Sequence, residues 1–353
     1  MLLLVGGYTI DVDEDTPGKA RGIAAYDFDT RRGGLTFRGY GPVTNPSYLW
    51  VDEQRQLVYA ARECEAGNQP GVTVFKIARS AGGGKVIFTE IDDVAIDGDL
   101  PCHVIGIDDT LIVSCYISGT VHVYRRLEDG RLDKEAMQRI KLPQFTPEKE
   151  PRAHCAIYDA RRERVYVCDK ITDHLSVFER LEDGRLKLLP GHGVDFPDGA
   201  GPRHLVMHPA GDYALVVCEL RGITALIDLR EDAPRLVTNT AYLPERSVDE
   251  AWGAGIKIDA AGKNIYISER TFSVVTHLRL DTKIEKYNSR ETLPSGGEQP
   301  RDLSIAPGGK WLLTANVKTH AIGVFNIGAG GAPQLHRVFD KVPSPACLKW
   351  LDI

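Results

Sequence analysis

The sequence lacks the surplus of positive charge that a general nucleic-acid-binding protein needs. It contains 43 lysine and arginine residues against 49 aspartate and glutamate residues, which gives a formal net charge of -6. Because phosphates are neutralised by basic surfaces, this balance predicts no nucleic-acid partner, and any anionic ligand has to be met by a local cluster of cations. The apolar start MLLLVGGYTI has no basic flank and is too short to span a bilayer, so it predicts a strand and no membrane partner.

The seven cysteines form no CxxC pair and no Cys/His cluster at zinc-site spacing. Five of them lie in apolar, strand-like runs, a pattern that is typical of reduced core thiols and predicts a cytoplasmic location. GxSxG, HExxH and EF-hand patterns are also absent. The glycine-rich stretches at 82–84 and 328–331 lead into no helix, so a phosphate-cradling loop is not expected at either place.

What the sequence does contain is an internal repeat. Six stretches share a small residue or proline, an alternating apolar run, a polar turn and a second apolar run that ends in a polar residue. They span residues 45–63, 100–116, 151–169, 201–219, 252–270 and 299–317. A period of about 50 residues, with strand patterns and no long helical periodicity, predicts an all-β β-propeller with four-stranded antiparallel blades.

A seventh repeat is split between the two ends of the chain. The stretch 344–353 matches a first strand, while 2–9 supplies the second strand and 22–28 the third. Pairing of the terminal strands closes the ring and removes sheet edges that would otherwise be exposed. We therefore predict a seven-bladed propeller in one domain, residues 1–353.

The hairpins bring polar residues of several blades to one place. The start of the first strand and the end of the second lie on the same rim, so Arg203 and Glu219, with Gly211 midway, should meet. Because inner strands line the axis of a propeller, the rims form a ring around one mouth of the channel. The predicted ring comprises Tyr48, Glu63, His103, His154, Asp169, Arg203, His204, Glu219, Glu269, Arg301 and Asp302.

The members of this ring differ in what they are expected to do. For Asp169, Glu269 and Asp302, hydrogen bonding within the rim is the simpler role. Arginines that face a channel need an anionic partner, and a carboxylate or a phosphate fits their planar fork. His208, in the hairpin turn beside Pro209, is expected to point away from this mouth.

Three of the repeats resemble the seven-bladed lactonase family, which includes propeller-type 6-phosphogluconolactonases and fungal carboxymuconate lactonizing enzymes. They are GPRHLVMHPAGDYALVVCEL at 201–220, QPRDLSIAPGGKWLLTANVKTHAIGVFNI at 299–327 and NPSYLWVDEQRQLVYAARE at 45–63. The resemblance extends blade by blade over nearly the whole chain. The chain departs from the family spelling at Arg62, where asparagine is common, and at Trp252, where a polar residue is common.

The resemblance implies a catalytic set of one histidine, two arginines and one glutamate. By motif these residues are His154, Arg203, Arg301 and Glu219. Opening a lactone requires a base for the attacking water, stabilisation of the oxyanion and an acid for the leaving alkoxide. We assign the acid/base role to His154, because an imidazole titrates in the useful range, while an arginine beside Glu219 would lower the pKa of that carboxyl.

On this interpretation the arginines hold an anionic substrate, and no metal or cofactor takes part. The residues expected to complete the substrate-binding site are Tyr48, Glu63, His103, His204 and Asp302. The expected partner is a small anionic lactone or sugar acid.

Several alternatives stay open on the sequence alone. The same groups would serve an isomerase or lactonizing enzyme acting on a dicarboxylic acid, and the fold is also used for non-catalytic binding. Glu219 is an alternative base, and a calcium ion at the mouth is an alternative to metal-free catalysis. The identity of the lactone, the direction of the reaction and the formation of a homo-oligomer leave no mark in the sequence.

Overall fold

The structure is a computed structural model that describes residues 1–12, 14, 16–244 and 250–353. Within these residues, 29 strands form seven antiparallel sheets, and a 3₁₀ turn lies at Ala66–Asn68. No helix in the described ranges is long and apolar enough to cross a membrane. The predicted all-β, seven-bladed propeller is confirmed.

Each blade is numbered here from its innermost to its outermost strand. Blade 1 consists of β29 (Pro345–Leu351), β1 (Leu2–Gly7), β2 (Ile23–Asp29) and β3 (Gly34–Gly41). Blade 2 consists of β4 (Pro46–Asp52), β5 (Leu57–Arg62), β6 (Gly71–Arg79) and β7 (Val86–Ala95). Blade 3 consists of β8 (Pro101–Ile107), β9 (Thr110–Cys115), β10 (Thr120–Arg125) and β11 (Gln138–Lys141). Blade 4 consists of β12 (Ala153–Asp159), β13 (Arg164–Asp169), β14 (His174–Arg180) and β15 (Leu186–Leu188), with the short β16 (Val194–Asp195) also paired to β14.

The remaining three blades follow the same plan. Blade 5 consists of β17 (Pro202–Met207), β18 (Tyr213–Cys218), β19 (Ile223–Asp228) and β20 (Arg235–Ala241). Blade 6 consists of β21 (Gly253–Ile258), β22 (Asn264–Glu269), β23 (Val274–Asp281) and β24 (Lys286–Pro294). Blade 7 consists of β25 (Pro300–Ile305), β26 (Trp311–Asn316), β27 (Ala321–Ile327) and β28 (Pro333–Phe339).

The core lies between neighbouring blades, which explains the near-continuous apolar second strands. Every residue of β18 and β22 is buried, because both faces of these strands are covered by adjacent sheets. One core cluster, for example, joins Val177 of blade 4 to Val216 of blade 5. Outer strands face solvent on most positions, as in β28. The blades therefore stack face to face around a central axis.

The ring closes through the two ends of the chain, as the split repeat predicts. Strand β1 pairs antiparallel with β29, from Leu2 opposite Leu351 to Gly6 opposite Cys347. The innermost strand β29 also contacts the innermost strands of blades 2 and 7. The seven inner strands consequently surround one channel, and equivalent positions in each blade come together at its mouth.

Candidate active site at one mouth of the channel

The inner strand of each described blade begins with a register irregularity. In β17, Pro202 pairs with Cys218 and His204 with Val217, so that Arg203 is skipped. The same shift occurs at the start of the other six inner strands. A bulge of this kind leaves a residue unpaired and re-aims its side chain. It lets both Arg203 and His204 line the channel, where strict alternation would turn one of them away.

Two rings of equivalent side chains result. The lower ring is the second residue of each inner strand: Ser47, Cys102, His154, Arg203, Ala254, Arg301 and Ala346. The upper ring contains one residue from each blade, the residue that follows the second strand. Its backbone N–H donates to the carbonyl of the residue just before the inner strand. The members are Tyr8, Glu63, Tyr116, Lys170, Glu219, Arg270 and Val317. The upper ring places the charged groups of three consecutive blades side by side, Lys170, Glu219 and Arg270, and the lower ring adds Arg203 and Arg301.

The structure corrects two members of the predicted ring. Asp169 and Glu269 lie one residue before the upper ring, and they accept hydrogen bonds from backbone N–H groups of their own turns: Arg152, Ile171 and Thr172 for Asp169, and Trp252, Thr271 and Phe272 for Glu269. Consecutive strand residues point to opposite faces, so a slip of one residue exchanges an inward side chain for an outward one. Lys170 and Arg270 occupy the channel positions instead.

A cavity of about 230 Å³ opens at this mouth. Its described lining includes the cations Lys170, Arg203, Arg270 and Arg301, the carboxylates Glu63 and Glu219, and also His154, Tyr116 and Trp252. The predicted catalytic residues His154, Arg203, Glu219 and Arg301 therefore meet in one cavity. Lys170, Arg270, Tyr116 and Trp252 were not predicted, although a simple spacing indicates Lys170 and Arg270. In five blades the upper-ring residue lies 18 positions after the residue that precedes the inner strand, as Glu219 does after Gly201.

Glu219 is the centre of the charged cluster and receives four groups. Its Oε1 is 2.5 Å from Lys170 Nζ and 3.2 Å from Trp252 Nε1. Its Oε2 is 2.9 Å from Arg203 Nε and 3.0 Å from Arg270 Nη2. The N–H of Arg203 Nε is poorly aligned on the carboxylate, so this contact is an ion pair without a hydrogen bond. The meeting of Arg203 and Glu219 follows the hairpin prediction.

The surroundings of Glu219 make it a poor base. Burial by itself raises the pKa of this carboxyl, but the cations Arg270, Lys170 and Arg203 outweigh burial and hold the pKa far below its usual range. A carboxylate with so low a pKa accepts protons badly near neutrality. Of the two bases that the sequence allowed, the electrostatics favour His154.

His154 is buried beside these cations. Burial, followed by the charges of Arg203 and Lys170, holds the pKa of His154 well below its usual value of 6.5, so its imidazole is neutral at neutral pH. Its Nδ1 has no hydrogen-bond partner in the part of the chain that the structure describes. The ring lies 5.9 Å from that of Tyr116 and 5.0 Å from that of His204. In the tautomer that carries its proton on Nε2, this nitrogen can accept a proton.

Glu63 and Arg301 form a second charged pair in the cavity. Arg301 Nη2 donates to both carboxylate oxygens of Glu63, at 3.2 and 3.4 Å, and the Tyr8 hydroxyl donates to Glu63 at 2.9 Å. Burial opposes the charge of Arg301, but Tyr8 and Glu63 outweigh it and raise the pKa of this guanidinium. The neighbouring Arg62 points elsewhere, to Thr73 and the Gln69 carbonyl. The departure at Arg62 therefore lies outside the cavity.

The other predicted substrate-binding residues lie deeper in the channel. The third residues of three inner strands, Tyr48, His103 and His204, pack ring against ring with centroids 4.1 to 5.7 Å apart. Tyr48, His204 and Asp302 line a small polar cavity of about 10 Å³ below the main one, and His103 lines neither. Asp302 accepts hydrogen bonds from the N–H of Leu348 and from Lys257. His208 bonds the Gly262 carbonyl in its turn, away from this mouth.

We expect the three channel histidines to make the fold sensitive to mild acid. Burial, before any neighbouring charge, lowers the pKa of His103, His154 and His204 well below 6.5. Between the lowered values and 6.5 the unfolded chain binds more protons than the folded chain, so stability is complete above pH 6.5 and falls below it. Each histidine contributes a slope of up to about 1.4 kcal/mol per pH unit.

The measurement is urea unfolding between pH 7 and pH 5. Other buried histidines, such as His122 with a pKa of about 4, add to the slope, so the contribution of one group is read as a difference between variants. His204→Gln should flatten the fall of the unfolding free energy with pH. An unchanged slope in this variant would show that His204 titrates normally in the folded protein.

In the described residues, no three His, Cys, Asp or Glu side chains converge so that they could hold a metal ion. The chemistry available in the cavity is that of a neutral imidazole, a phenol at Tyr116 and four cationic side chains that surround two carboxylates. Such an arrangement can accept a proton from water, stabilise a developing oxyanion and bind a second anionic group.

Comparisons with known proteins agree with the fold. A family model described as "Lactonase, 7-bladed beta-propeller" matches residues 2–350. The chain is 28% identical to a 6-phosphogluconolactonase of Bacillus subtilis over 346 residues, 95% of this chain and 96% of the relative. It is 32% identical to a 6-phosphogluconolactonase of Erwinia tasmaniensis over 181 residues, 50% of this chain and 53% of the relative. The solved periplasmic gluconolactonase of Pseudomonas aeruginosa superposes with a TM-score of 0.88 at 22% identity, over 100% of this chain and 99% of that one.

Proposed function

Because the chain belongs to the seven-bladed β-propeller lactonase family, we propose that it hydrolyses an anionic sugar-acid lactone of the 6-phosphogluconolactone type. The observation that supports this function best is the position of His154. A buried, neutral imidazole with an unpartnered Nδ1 lines the same cavity as Lys170, Arg203 and Arg301. A general base beside several cations is what the hydrolysis of an anionic ester requires.

The proposed reaction uses one water molecule and no metal. His154 takes a proton from the water as its oxygen bonds to the lactone carbonyl carbon, and the carbonyl oxygen becomes an oxyanion. Collapse of this intermediate breaks the ring C–O bond, and the imidazolium returns the proton to the leaving alkoxide. The products are an open-chain alcohol and a carboxylic acid, which ionises in water.

The charge of the cavity favours a phosphorylated substrate. Among the described lining residues, four cations face two carboxylates, which leaves a surplus of two positive charges while His154 is neutral. A phosphate monoester carries about -1.5 to -2 charges at pH 7. The same surplus repels a divalent cation, which supports the metal-free form of the proposal.

A panel of lactones tests the proposal. We expect kcat/KM, measured by acid release in a pH-stat above the spontaneous rate, to be about 10- to 100-fold higher for 6-phosphogluconolactone than for gluconolactone, because a charge-assisted contact contributes about 1.5–3 kcal/mol. EDTA should leave both rates unchanged. Equal rates on the two lactones would contradict the phosphate preference. A loss of rate with EDTA would contradict the metal-free mechanism. Turnover of only a dicarboxylic lactone would contradict the proposed substrate class.

We also propose a cytoplasmic location. All seven cysteines are unpaired and buried in the strands and their ends, as expected for a chain that folds in a reducing compartment. The similar protein from Pseudomonas aeruginosa is described as periplasmic, so cell fractionation is the direct test.

A further inference from the structure

The four cations of the cavity differ in how accessible they are. The side chains of Lys170 and Arg301 are 14% and 16% exposed, whereas those of Arg203 and Arg270 are each 3% exposed. A substrate that enters the cavity therefore reaches Lys170 and Arg301 first. Sequence motifs alone pointed to Arg203 and Arg301.

Arg203 and Arg270 are also committed to other partners. Arg203 Nη1 donates to the Ala254 carbonyl at 2.9 Å. Arg270 donates to the Trp252 and Gly253 carbonyls at 3.1 and 2.9 Å, and its guanidinium lies 3.9 Å from the centre of the Trp252 ring. Contact with a ligand would break buried hydrogen bonds at both arginines, which is costly. Their contacts fit a positioning role for the Glu219 carboxylate.

Lys170 has spare hydrogen-bonding capacity next to the base. An ammonium has three N–H donors, and Lys170 Nζ shares one with Glu219 Oε1 while it lies 5.1 Å from the centre of the Tyr116 ring. Lys170 follows β13, and His154 belongs to β12 of the same hairpin. The charge of Lys170 is close enough to His154 to lower the pKa of that imidazole.

We propose that Lys170 is a catalytic residue that donates a hydrogen bond to the developing oxyanion, while Arg301 binds the anionic substituent of the substrate. The inference rests on the proposed lactonase function. Lys170 belongs to blade 4 and Arg301 to blade 7, three blades away around the ring, so the two groups face each other across the cavity. Lys170 and Arg301 can therefore contact two separate groups of one substrate, its reacting carbonyl and its phosphate. Lys170 keeps its proton throughout, and His154 carries the proton transfer.

Three variants, Lys170→Met, Lys170→Arg and Arg301→Met, are compared with the wild type on gluconolactone and 6-phosphogluconolactone. Loss of an oxyanion donor costs about a hundredfold to a thousandfold in kcat. Lys170→Met should show this loss on both substrates with little change in KM, while Lys170→Arg keeps at least about a tenth of the activity because it keeps the charge. Arg301→Met should raise KM for the phosphorylated lactone at least about tenfold and leave the other lactone nearly unaffected.

The pH profile separates this role from a structural one. Without the Lys170 charge the pKa of His154 rises, so the acid limb of kcat/KM should move to higher pH in Lys170→Met and stay in place in Lys170→Arg. Circular dichroism and urea unfolding check that the variants are folded.

If the wild-type protein is active, two results would overturn the proposed role of Lys170 and leave the proposed lactonase function intact. One is a kcat of Lys170→Met within about threefold of wild type, far less than the loss of an oxyanion donor produces. The other is a loss confined to the phosphorylated substrate. A wild-type protein that hydrolyses neither lactone would overturn the proposed function itself, and this inference with it.

Discussion

We expect His154→Gln to lower kcat for lactone hydrolysis at least about a hundredfold, with KM nearly unchanged. General acid/base catalysis contributes about 10²- to 10⁴-fold, and glutamine fills a similar volume but cannot take up the proton of water. His154 is the one cavity group in the described lining whose pKa is lowered to give a neutral base, because burial and the neighbouring cations Arg203, Lys170 and Arg301 disfavour its protonated form. Glu219 cannot replace it, since its own pKa is far too low.

The wild-type pH profile belongs to the same prediction. Activity requires the neutral imidazole, and the pKa of His154 lies well below 6.5, so kcat/KM should be constant from pH 8 to below pH 6.5 and fall only in more acidic solution. A profile of kcat/KM whose acid midpoint lies above pH 6.5 would contradict the lowered pKa of His154.

His208→Gln is the matched control for His154→Gln. His208 is another buried histidine, but it bonds the Gly262 carbonyl in a turn and does not line the cavity at this mouth. We expect its variant to keep kcat within about twofold of wild type, because His208 does not line the cavity in which the reaction is proposed to take place. If His154→Gln behaves like His208→Gln while both are folded, His154 is not the base.

The parts of the site that the sequence predicts correctly are those fixed by counting along one hairpin. Arg203 and Glu219 meet because the two strands are of equal length and fold over near Gly211. Ring closure was predictable for a similar reason, since the terminal stretches lack partners and have complementary patterns. Both features depend on local repetition, which a sequence displays directly.

The errors arise where register depends on a few residues at a strand end. Laid residue for residue on the stretch 201–219, the stretch 151–169 places Asp169 opposite Glu219, yet β12 begins at Ala153, two residues after Pro151, whereas β17 begins at Pro202 itself. His154 is therefore equivalent to Arg203, and Lys170 takes the place that the alignment gave to Asp169. The bulge at each inner strand has no pattern of its own in the sequence, because it depends on how seven strands fit around one axis.

The contacts of Glu219 were unpredictable for a different reason. Its partners Lys170, Trp252 and Arg270 come from blades 4 and 6, which flank its own blade 5. No spacing within a single repeat indicates which groups of adjacent blades converge. The sequence has Trp252 where a polar residue is common, and the indole N–H of Trp252 donates a hydrogen bond to Glu219.

We expect Glu219→Gln to destabilise the fold by about 3–5 kcal/mol, the usual cost of removing one partner from a buried ion cluster. The substituted side chain would keep the shape of glutamate but lose its charge, so Lys170, Arg203 and Arg270 would repel one another with no anion between them. Stabilities of whole proteins are about 5–15 kcal/mol, so this loss is a large fraction of the total. Activity should fall by at least about a hundredfold as well, because the cations that surround His154 lose their fixed positions.

Glu63→Gln is the comparison that isolates the effect of the three cations. Glu63 occupies the equivalent ring position in blade 2 and is also buried, but among the described residues its ion pair is with Arg301 alone, and its carboxylate also accepts a hydrogen bond from the neutral Tyr8 hydroxyl. Its loss should cost about 1–3 kcal/mol, the range for one charged hydrogen-bonded contact. Urea unfolding at pH 7 measures both variants. Equal losses would mean that charge compensation around Glu219 is not what stabilises this mouth of the channel, and that the cations are held in place by their backbone contacts instead.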